Sequence, residues 1–223
     1  MSASNYVIAI SSVSGGGKTT LVKRAASLLK GTTLFFDEYD TVSDYPSDVR
    51  KWVDEGADVN EWKTPQFARD LATLKRGESI ISPIDGTNIL PSEYIVIEEP
   101  MGRARAEMAD LIDFVVVIDT PFEIALTRRL LRDFMPMFPE DIEKATREEL
   151  AARMDQIGTN LRGFLEGYLY VSRDIYIAVI EQAKRSCDLV LDEILPPDTL
   201  AQQLVAAVKD KPRTRYTGCM QQL

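Results

Sequence analysis

The chain has 223 residues, enough to bury one sizeable core with a mobile lid but cramped for a second full domain. Hydrophobic residues make up 45% and charged ones 27%, the proportions of a water-soluble globular protein. With 26 basic against 35 acidic residues the net charge is −9. That argues against nucleic acid or an anionic membrane as partner, since their phosphates need a basic surface, while a local basic pocket for a nucleotide stays compatible.

The first element is an apolar, partly β-branched run, Tyr6-Val7-Ile8-Ala9-Ile10, which reads as a buried strand. A Ser/Gly turn follows, then Lys18-Thr19-Thr20 and a helical pattern with Leu21, Val22, Ala25, Leu28 and Leu29 apolar. Gly31 is the expected C-cap, and Thr32-Thr33-Leu34-Phe35-Phe36 a second strand. It ends in the acidic cluster Asp37-Glu38-Tyr39-Asp40. Residues 41–63 are mixed and polar, with Trp52 and Trp62 as bulk. Thr64-Pro65 opens a helix that carries Phe67, Leu71 and Leu74 on one face and stops at Gly77. Residues 80–86 form a short extended piece and turn.

Tyr94-Ile95-Val96-Ile97 is the next buried strand, closed by Glu98-Glu99-Pro100. A helix over about Met101 to Leu111 leads to the most apolar strand, Phe114-Val115-Val116-Val117-Ile118. Thr120-Pro121 reads as N-cap and first residue of a helix. On it Ile124, Leu126, Leu130, Leu131 and Phe134 make one stripe, and Arg128, Arg129 and Arg132 the opposite side. Met135 to Pro139 breaks this helix. Thr146 and Glu149 form a capping box for a long one, with Leu150, Met154, Ile157, Leu161, Phe164 and Tyr168 recurring at threes and fours. Gly158, Gly163 and Gly167 weaken it and permit bends or close packing. A helix near Ser172 to Lys184, a strand at Leu189-Val190-Leu191 and a helix capped by Asp198 complete the pattern, before a loose polar tail at 210–223.

Strands alternating with helices predict an α/β sandwich on a parallel sheet. Ligands of such sheets bind at the carboxyl ends of the strands. The Ser/Gly turn, the acids at 37–40 and the pair Glu98/Glu99 all fall there, so one cleft gathers them.

The turn carries the sharpest chemistry. Polyphosphate is held by backbone N–H groups at close range, which requires residues without bulk and with a permissive backbone, as Ser14, Gly15, Gly16 and Gly17 provide. The helix starting at Lys18 adds its unpaired N–H groups and positive dipole end, with Thr20 in its first turn. Lys18 is placed to reach the β- and γ-phosphates and the Thr19 hydroxyl to take a Mg²⁺ position. The pattern G-x-x-x-x-G-K-[ST] is met except at its first position, where Ser12 replaces Gly.

There is no histidine, so acid/base work falls to carboxylates, Lys, Tyr, Cys or water. Cys187 and Cys219 lie outside any metal-ligand spacing and a disulfide framework is not expected, which reads as a reducing, cytoplasmic setting. Residues Met1 to Asn5 lack the features of a signal peptide, and no apolar run is long enough to span a membrane.

Five stretches together, Ser14-Gly15-Gly16-Gly17-Lys18-Thr19-Thr20, Phe36-Asp37-Glu38-Tyr39, Pro83-Ile84-Asp85, Val96-Ile97-Glu98 and Arg128-Arg129-Leu130-Leu131-Arg132-Asp133, resemble the uridine kinase-like branch of the P-loop kinases. The resemblance runs through roughly the first 135 residues. It implies a three-layer P-loop NTPase sandwich, one kinase domain over 1–223, with a helical lid at about 128–170. Lys18, Asp37, Arg128 and Arg132 match catalytic positions: Asp37 as the base that accepts the acceptor hydroxyl's proton, the arginines closing over the migrating phosphoryl group. Glu98 matches the metal-site carboxylate, although Glu99 and Pro100 replace the family's usual Gly and either glutamate can face the metal. Asp85 resembles the acid that holds acceptor hydroxyls, with Ile84 in place of an aromatic; Asp-Gly is equally a plain turn. The family's Arg-Gly-Arg after the lid helix is missing.

Tyr39, Trp52 and Trp62 are either walls of an acceptor pocket or core. Arg103 and Arg105 either reach an anionic substrate or are ordinary surface charges. The expected partners are a small-molecule acceptor and ATP or GTP with Mg²⁺, without nucleic acid or membrane, and with a homodimer left open. The competing readings are a nucleoside monophosphate kinase and a regulatory ATPase. A GTPase switch is opposed by the lack of Asn-Lys-x-Asp.

Overall fold

The computed structural model describes residues 5–138, 145–192 and 195–211. Its strands are β1 (Tyr6–Ser11), β2 (Thr32–Leu34), β3 (Ile80–Ile81), β4 (Asn88–Ile89), β5 (Tyr94–Glu98), β6 (Phe114–Asp119) and β7 (Leu189–Asp192). Five of them form a parallel sheet in the order β2-β5-β1-β6-β7. The short β3–β4 hairpin stands apart as an antiparallel pair.

β1 and β6 are apolar nearly throughout because helices cover both faces of the sheet. Successive side chains point to opposite sides. Ile8, Ile10, Val96 and Val116 therefore pack under α1 (Lys18–Leu29) and α8 (Pro197–Asp210). Val7, Ala9, Ile95 and Ile97 pack on the other side under α3 (Pro65–Lys75) and the single turn α4 (Ala106–Ala109). A third group, Val13, Val117, Ala125, Ile180 and Ala183, joins the sheet end to α5 (Phe122–Phe134) and α7 (Arg173–Arg185). The three-layer α/β arrangement expected from the sequence is the one observed.

β5 lies between β1 and β2, so the chain leaves β1 towards one edge of the sheet while β6 lies on its other side. Such a reversal opens a crevice at the carboxyl ends of the strands. Outside the three layers, α2 (Val49–Asp54) seats Trp52 in a cluster with Val59, Met101 and Val179. α6 (Arg147–Gly167) begins at the expected Thr146/Glu149 capping box and runs through a π turn, Tyr168–Ser172, into α7.

Several local expectations fail for identifiable reasons. The helix expected over Met101 to Leu111 shrinks to α4, because Gly102 turns at φ 57° and the Glu99 side chain takes the Met101 N–H. On α5 the inward residues are Ala125 and Phe134, while Ile124 and Leu131 are exposed. The α6 stripe is shallow: only Ile157 is buried and Met154 is open to solvent. Its glycines have nothing near their missing side chains, so they serve no close packing. Lys30, not Gly31, takes the left-handed turn that ends α1. Gly31 is needed for a different reason, since a β-carbon there would lie 2.9 Å from the Tyr94 carbonyl oxygen. Asp198 pairs with Arg24 instead of capping α8. The tail from residue 212, with Cys219, lies outside the described residues.

Candidate active site

The Ser/Gly turn joins β1 to α1, and each glycine has its own reason. Gly15 has φ 84°, and a β-carbon there would meet the Ala125 carbonyl oxygen at 2.3 Å. On Gly16 it would lie 2.0 Å from Ser12 Oγ. Gly17 is the α1 N-cap at φ 94°, with no capping side chain on the helix, so the first N–H groups of α1 are available to an anion. The departure at Ser12 is accommodated: its buried hydroxyl donates to the Ile118 carbonyl at 2.9 Å. Thr120, read from the sequence as a helix cap, instead donates to the Gly16 carbonyl at 3.0 Å and ties the loop to the end of β6.

Lys18 and Thr19 open α1 beside the last residue of β5. Lys18 Nζ donates to the Val13 carbonyl at 3.3 Å and lies 3.5 Å from Glu98 Oε1. Thr19 Oγ1 donates to Glu98 Oε2 at 2.8 Å. A hydroxyl and a carboxylate side by side are hard oxygen donors of the kind Mg²⁺ takes. No group of three or more His, Cys, Asp or Glu that could hold a metal exists among the described residues. A Mg²⁺ ion at Thr19 and Glu98 would therefore complete its shell with phosphate oxygens and water, its usual arrangement in phosphoryl-transfer sites.

These residues line a cleft of about 520 Å³. Ser14, Gly15, Gly16, Gly17, Lys18, Thr19 and Thr20 form its floor, and Asp37, Glu98, Arg128 and Arg132 surround it. Ile118, Leu195, Pro197 and Leu200 add an apolar side, to which residues from the start of α8 contribute. Asp37 reaches the cleft because β2 ends at Leu34 and the chain turns into a 3-10 helix over Phe36–Val42. Arg132 is held by Asp133, its Nε donating to Oδ1 at 2.6 Å, and also feels the Asp37 charge; both act to raise its pKa. Arg129 turns away from the other two. It donates to Tyr176 Oη at 2.6 Å and stacks over Phe164 at 4.7 Å.

Two expected substrate contacts are corrected. Tyr39 is fully buried against Phe67 and donates its hydroxyl to Asp70 at 3.0 Å, so its ring is core and not a pocket wall. Burial and the Asp70 charge push the phenol far above its ordinary value. Arg103 lies at the opposite end of the sheet, before β6, where it donates to the carbonyls of Ile112, Asp113 and Ser186 and pairs with Asp188 at 2.8 Å. Those bonds fasten β6 to β7 and leave it remote from the cleft.

Asp85 sits in the exposed β3–β4 turn, where it accepts from the Thr87 N–H and hydroxyl, which hold its carboxyl below the usual value. It does not line the cleft, yet its charge helps burial raise the carboxyl of Glu38, the neighbour of Asp37. Trp52 is buried with its indole N–H on the Asp58 carbonyl, and it meets Trp62 edge-on in the α2 cluster.

Of the two strand-end acids, Glu98 faces Thr19, and Glu99 turns the other way into Arg105. The sequence gives no sign of the roles of Ser12, Thr120 or the apolar side at Leu195–Leu200, because their partners come from distant parts of the chain.

No family model matches the chain. A uridine kinase of Borrelia duttonii is 28% identical over 204 residues, covering 84% of this chain and 86% of the relative. A uridine kinase of Leuconostoc citreum is 28% identical over 228 residues, covering 91% and 96%. Among solved structures, a shikimate kinase from Acinetobacter baumannii aligns with a TM-score of 0.44 and 15% identity over 93% of this chain and 94% of that one. Over most of its length the chain is thus similar to uridine kinases, and its glycine loop, lysine and strand-end acid converge on one cleft.

Proposed function

We propose that the protein transfers the terminal phosphoryl group of a Mg²⁺-bound nucleoside triphosphate to a hydroxyl of a small, uncharged, nucleoside-like metabolite. The observation that carries this reading is the single cleft in which the phosphate loop, Glu98, Asp37, Arg128 and Arg132 meet. The loop N–H groups and the α1 terminus bind the phosphates, and Lys18 turns from Val13 and Glu98 to the bridging region. Thr19 and Glu98 would hold Mg²⁺, which supplies neutralising charge to the phosphates when bound. Asp37 accepts the hydroxyl proton as the acceptor oxygen attacks the γ-phosphorus. The bond from that phosphorus to the β–γ bridging oxygen breaks, and the diphosphate leaves. Arg128 and Arg132 neutralise charge on the group in flight.

The chemistry around the acceptor side favours an uncharged acceptor. Asp37 and Glu38 stand there as acids, and the arginines that a second phosphate would need, Arg103 and Arg105, are committed to Asp188 and Glu99. That disfavours a nucleoside monophosphate as acceptor. ATP or GTP as donor, and a cytoplasmic setting, accord with this chemistry. No helix of the described residues is long and apolar enough to cross a membrane.

The test is triphosphate consumption with Mg²⁺ across pooled nucleosides, sugars, vitamins and nucleoside monophosphates, with Lys18→Ala as the blank. Acceptor-dependent turnover that disappears in the variant is expected. Turnover indifferent to every pool would replace the kinase reading with that of a regulatory ATPase.

A further inference from the structure

A buried ion pair lies directly behind the acid proposed to hold the metal. Glu99 is 0% exposed and Arg105 1%. Arg105 Nη2 donates to Glu99 Oε2 at 2.5 Å. Its Nη1 donates to the Trp62 carbonyl at 3.0 Å, and to Thr64 Oγ1 and Glu107 Oε1 at 2.7 Å each. The guanidinium also lies over the Phe36 ring, 5.4 Å from its centroid. Its Nε is buried without a partner in the described structure.

As a stabiliser this is a poor arrangement. Taking both charges out of water is unfavourable, an unpartnered donor adds to that, and apolar replacements of such pairs are often neutral or better. As a device for fixing geometry it is strong. A planar fork with two carboxylates, a hydroxyl and a carbonyl on set directions leaves its partners little freedom.

The partners are the ones that matter. Glu98 and Glu99 are consecutive at the end of β5, so their side chains point to opposite sides. Anchoring one fixes the rotation of the other. The Glu99 backbone is also held on both sides: its N–H donates to the Ile10 carbonyl at 3.2 Å and its carbonyl accepts from Ser11 Oγ at 2.6 Å. Through Phe36 the same guanidinium abuts the residue before Asp37. One arginine thus touches the supports of two cleft acids, one closing β5 and the other in the 3-10 helix after β2.

We propose that Arg105, acting through Glu99 and Phe36, is a positioning residue that sets the Glu98 carboxylate against Thr19 and seats Asp37. The role assigned to Mg²⁺ rests on the proposed function, so the test reads metal-linked binding as well as turnover. Affinity for a non-hydrolysable ATP analogue is measured by calorimetry with and without Mg²⁺, well below each variant's melting temperature, for wild type, Arg105→Lys and the double variant Glu99→Gln/Arg105→Met. The double variant removes both buried charges together, and Glu107, which is partly exposed, keeps the Thr64 N–H and hydroxyl as donors.

Wild type is expected to bind more tightly with Mg²⁺. In both variants that enhancement falls by about tenfold or more, the scale of losses when residues behind a metal ligand are changed, while metal-free affinity stays within about twofold. With an acceptor in hand, kcat falls and the KM for the Mg²⁺-triphosphate rises in step with the lost enhancement. Variants that melt lower but keep the full Mg²⁺ enhancement would show a pair that only stabilises the fold, and would overturn the proposal. So would a wild type with no enhancement to lose. Failure to find any acceptor would sink the kinase reading instead and leave the Mg²⁺ comparison standing.

Discussion

Gly16→Ala tests how the phosphate loop tolerates Ser12 where the usual pattern has Gly. A β-carbon on Gly16 would sit 2.0 Å from Ser12 Oγ and 2.9 Å from both Ser12 Cβ and the Val13 carbonyl oxygen. The serine side chain has to move, and it is not free to do so. It is 2% exposed and its hydroxyl donates to the Ile118 carbonyl at 2.9 Å. Displacing it strands a buried carbonyl, at about 1–3 kcal/mol, and residual crowding adds about 1–3 kcal/mol. Ser12→Gly alone loses the same hydrogen bond and adds chain freedom, about 1–2 kcal/mol.

In the Ser12→Gly/Gly16→Ala protein the clashing side chain is gone, and the contact left to relieve is the Val13 carbonyl oxygen at 2.9 Å, which must shift. The two changes should therefore couple favourably, by about 1–2 kcal/mol. Urea unfolding of the four proteins gives that term directly, and affinity for a non-hydrolysable ATP analogue should follow the same order. Strict additivity, within about 0.5 kcal/mol, would mean that Ser12 does not dictate the glycine at 16 and that the steric reasoning is wrong.

Asp37→Asn should lower kcat by about 10²–10⁴-fold with little change in the KM for triphosphate; an unchanged kcat in steady-state assays removes Asp37 as the base. Arg132→Ala and Arg129→Ala should separate cleanly although three residues apart. The first is expected to lose about 10²-fold or more in kcat at a nearly unchanged melting temperature. The second gives up its bonds to Tyr176 and Phe164 and should cost about 1–2 kcal/mol in unfolding experiments, and equal effects on rate would contradict the two orientations. At alkaline pH, burial followed by the nearby Asp40 carboxylate pushes Tyr45 up to about 12, and Tyr39 is raised further. The folded chain then keeps protons that the unfolded chain releases near the ordinary value of 10.0, so stability is full below that pH and falls as pH rises through it. Tyr39→Phe should flatten the fall in an unfolding series, and a wild-type stability independent of pH in that window would refute it.

The parts of the site that a reader of the sequence can see are those whose partners are near in the chain. Lys18, Thr19 and the glycines lie in one short run, and the strand–turn–helix context expected for them is the one observed. Glu98 is visible because it closes an apolar strand, and Asp37 because it follows the carboxyl end of another; in a parallel sheet those ends share one edge. The arginines of α5 are legible only as a group. Arg128 and Arg132 are four apart and face the cleft together, whereas Arg129 is turned about 100° round the helix, which carries it to Tyr176 and Phe164. Arg103 and Tyr39 mislead because their partners, Asp188 and Asp70, lie 85 and 31 residues further on. Nothing local marks an arginine or a tyrosine as already engaged.

The pair Glu98–Glu99 shows where local rules suffice and where they stop. Alternation along a strand decides that only one of two consecutive acids faces the cleft. Which one it is depends on the pleat of β5, set by its pairing with β1, where Ile97 lies opposite Ala9 and Glu98 opposite Ile10. Ile97 goes to the α3 side of the sheet with Ala9, so Glu98 emerges on the α1 side, beside Thr19. Glu99 is then directed away from the glycine loop and into the interior, where Arg105 partners it. The second glutamate is thus neither a spare metal ligand nor a solvated turn residue. Once the strand register is set, the second of two consecutive acids is sent into the interior, where burial pushes its carboxyl up and the Arg105 charge opposes that shift.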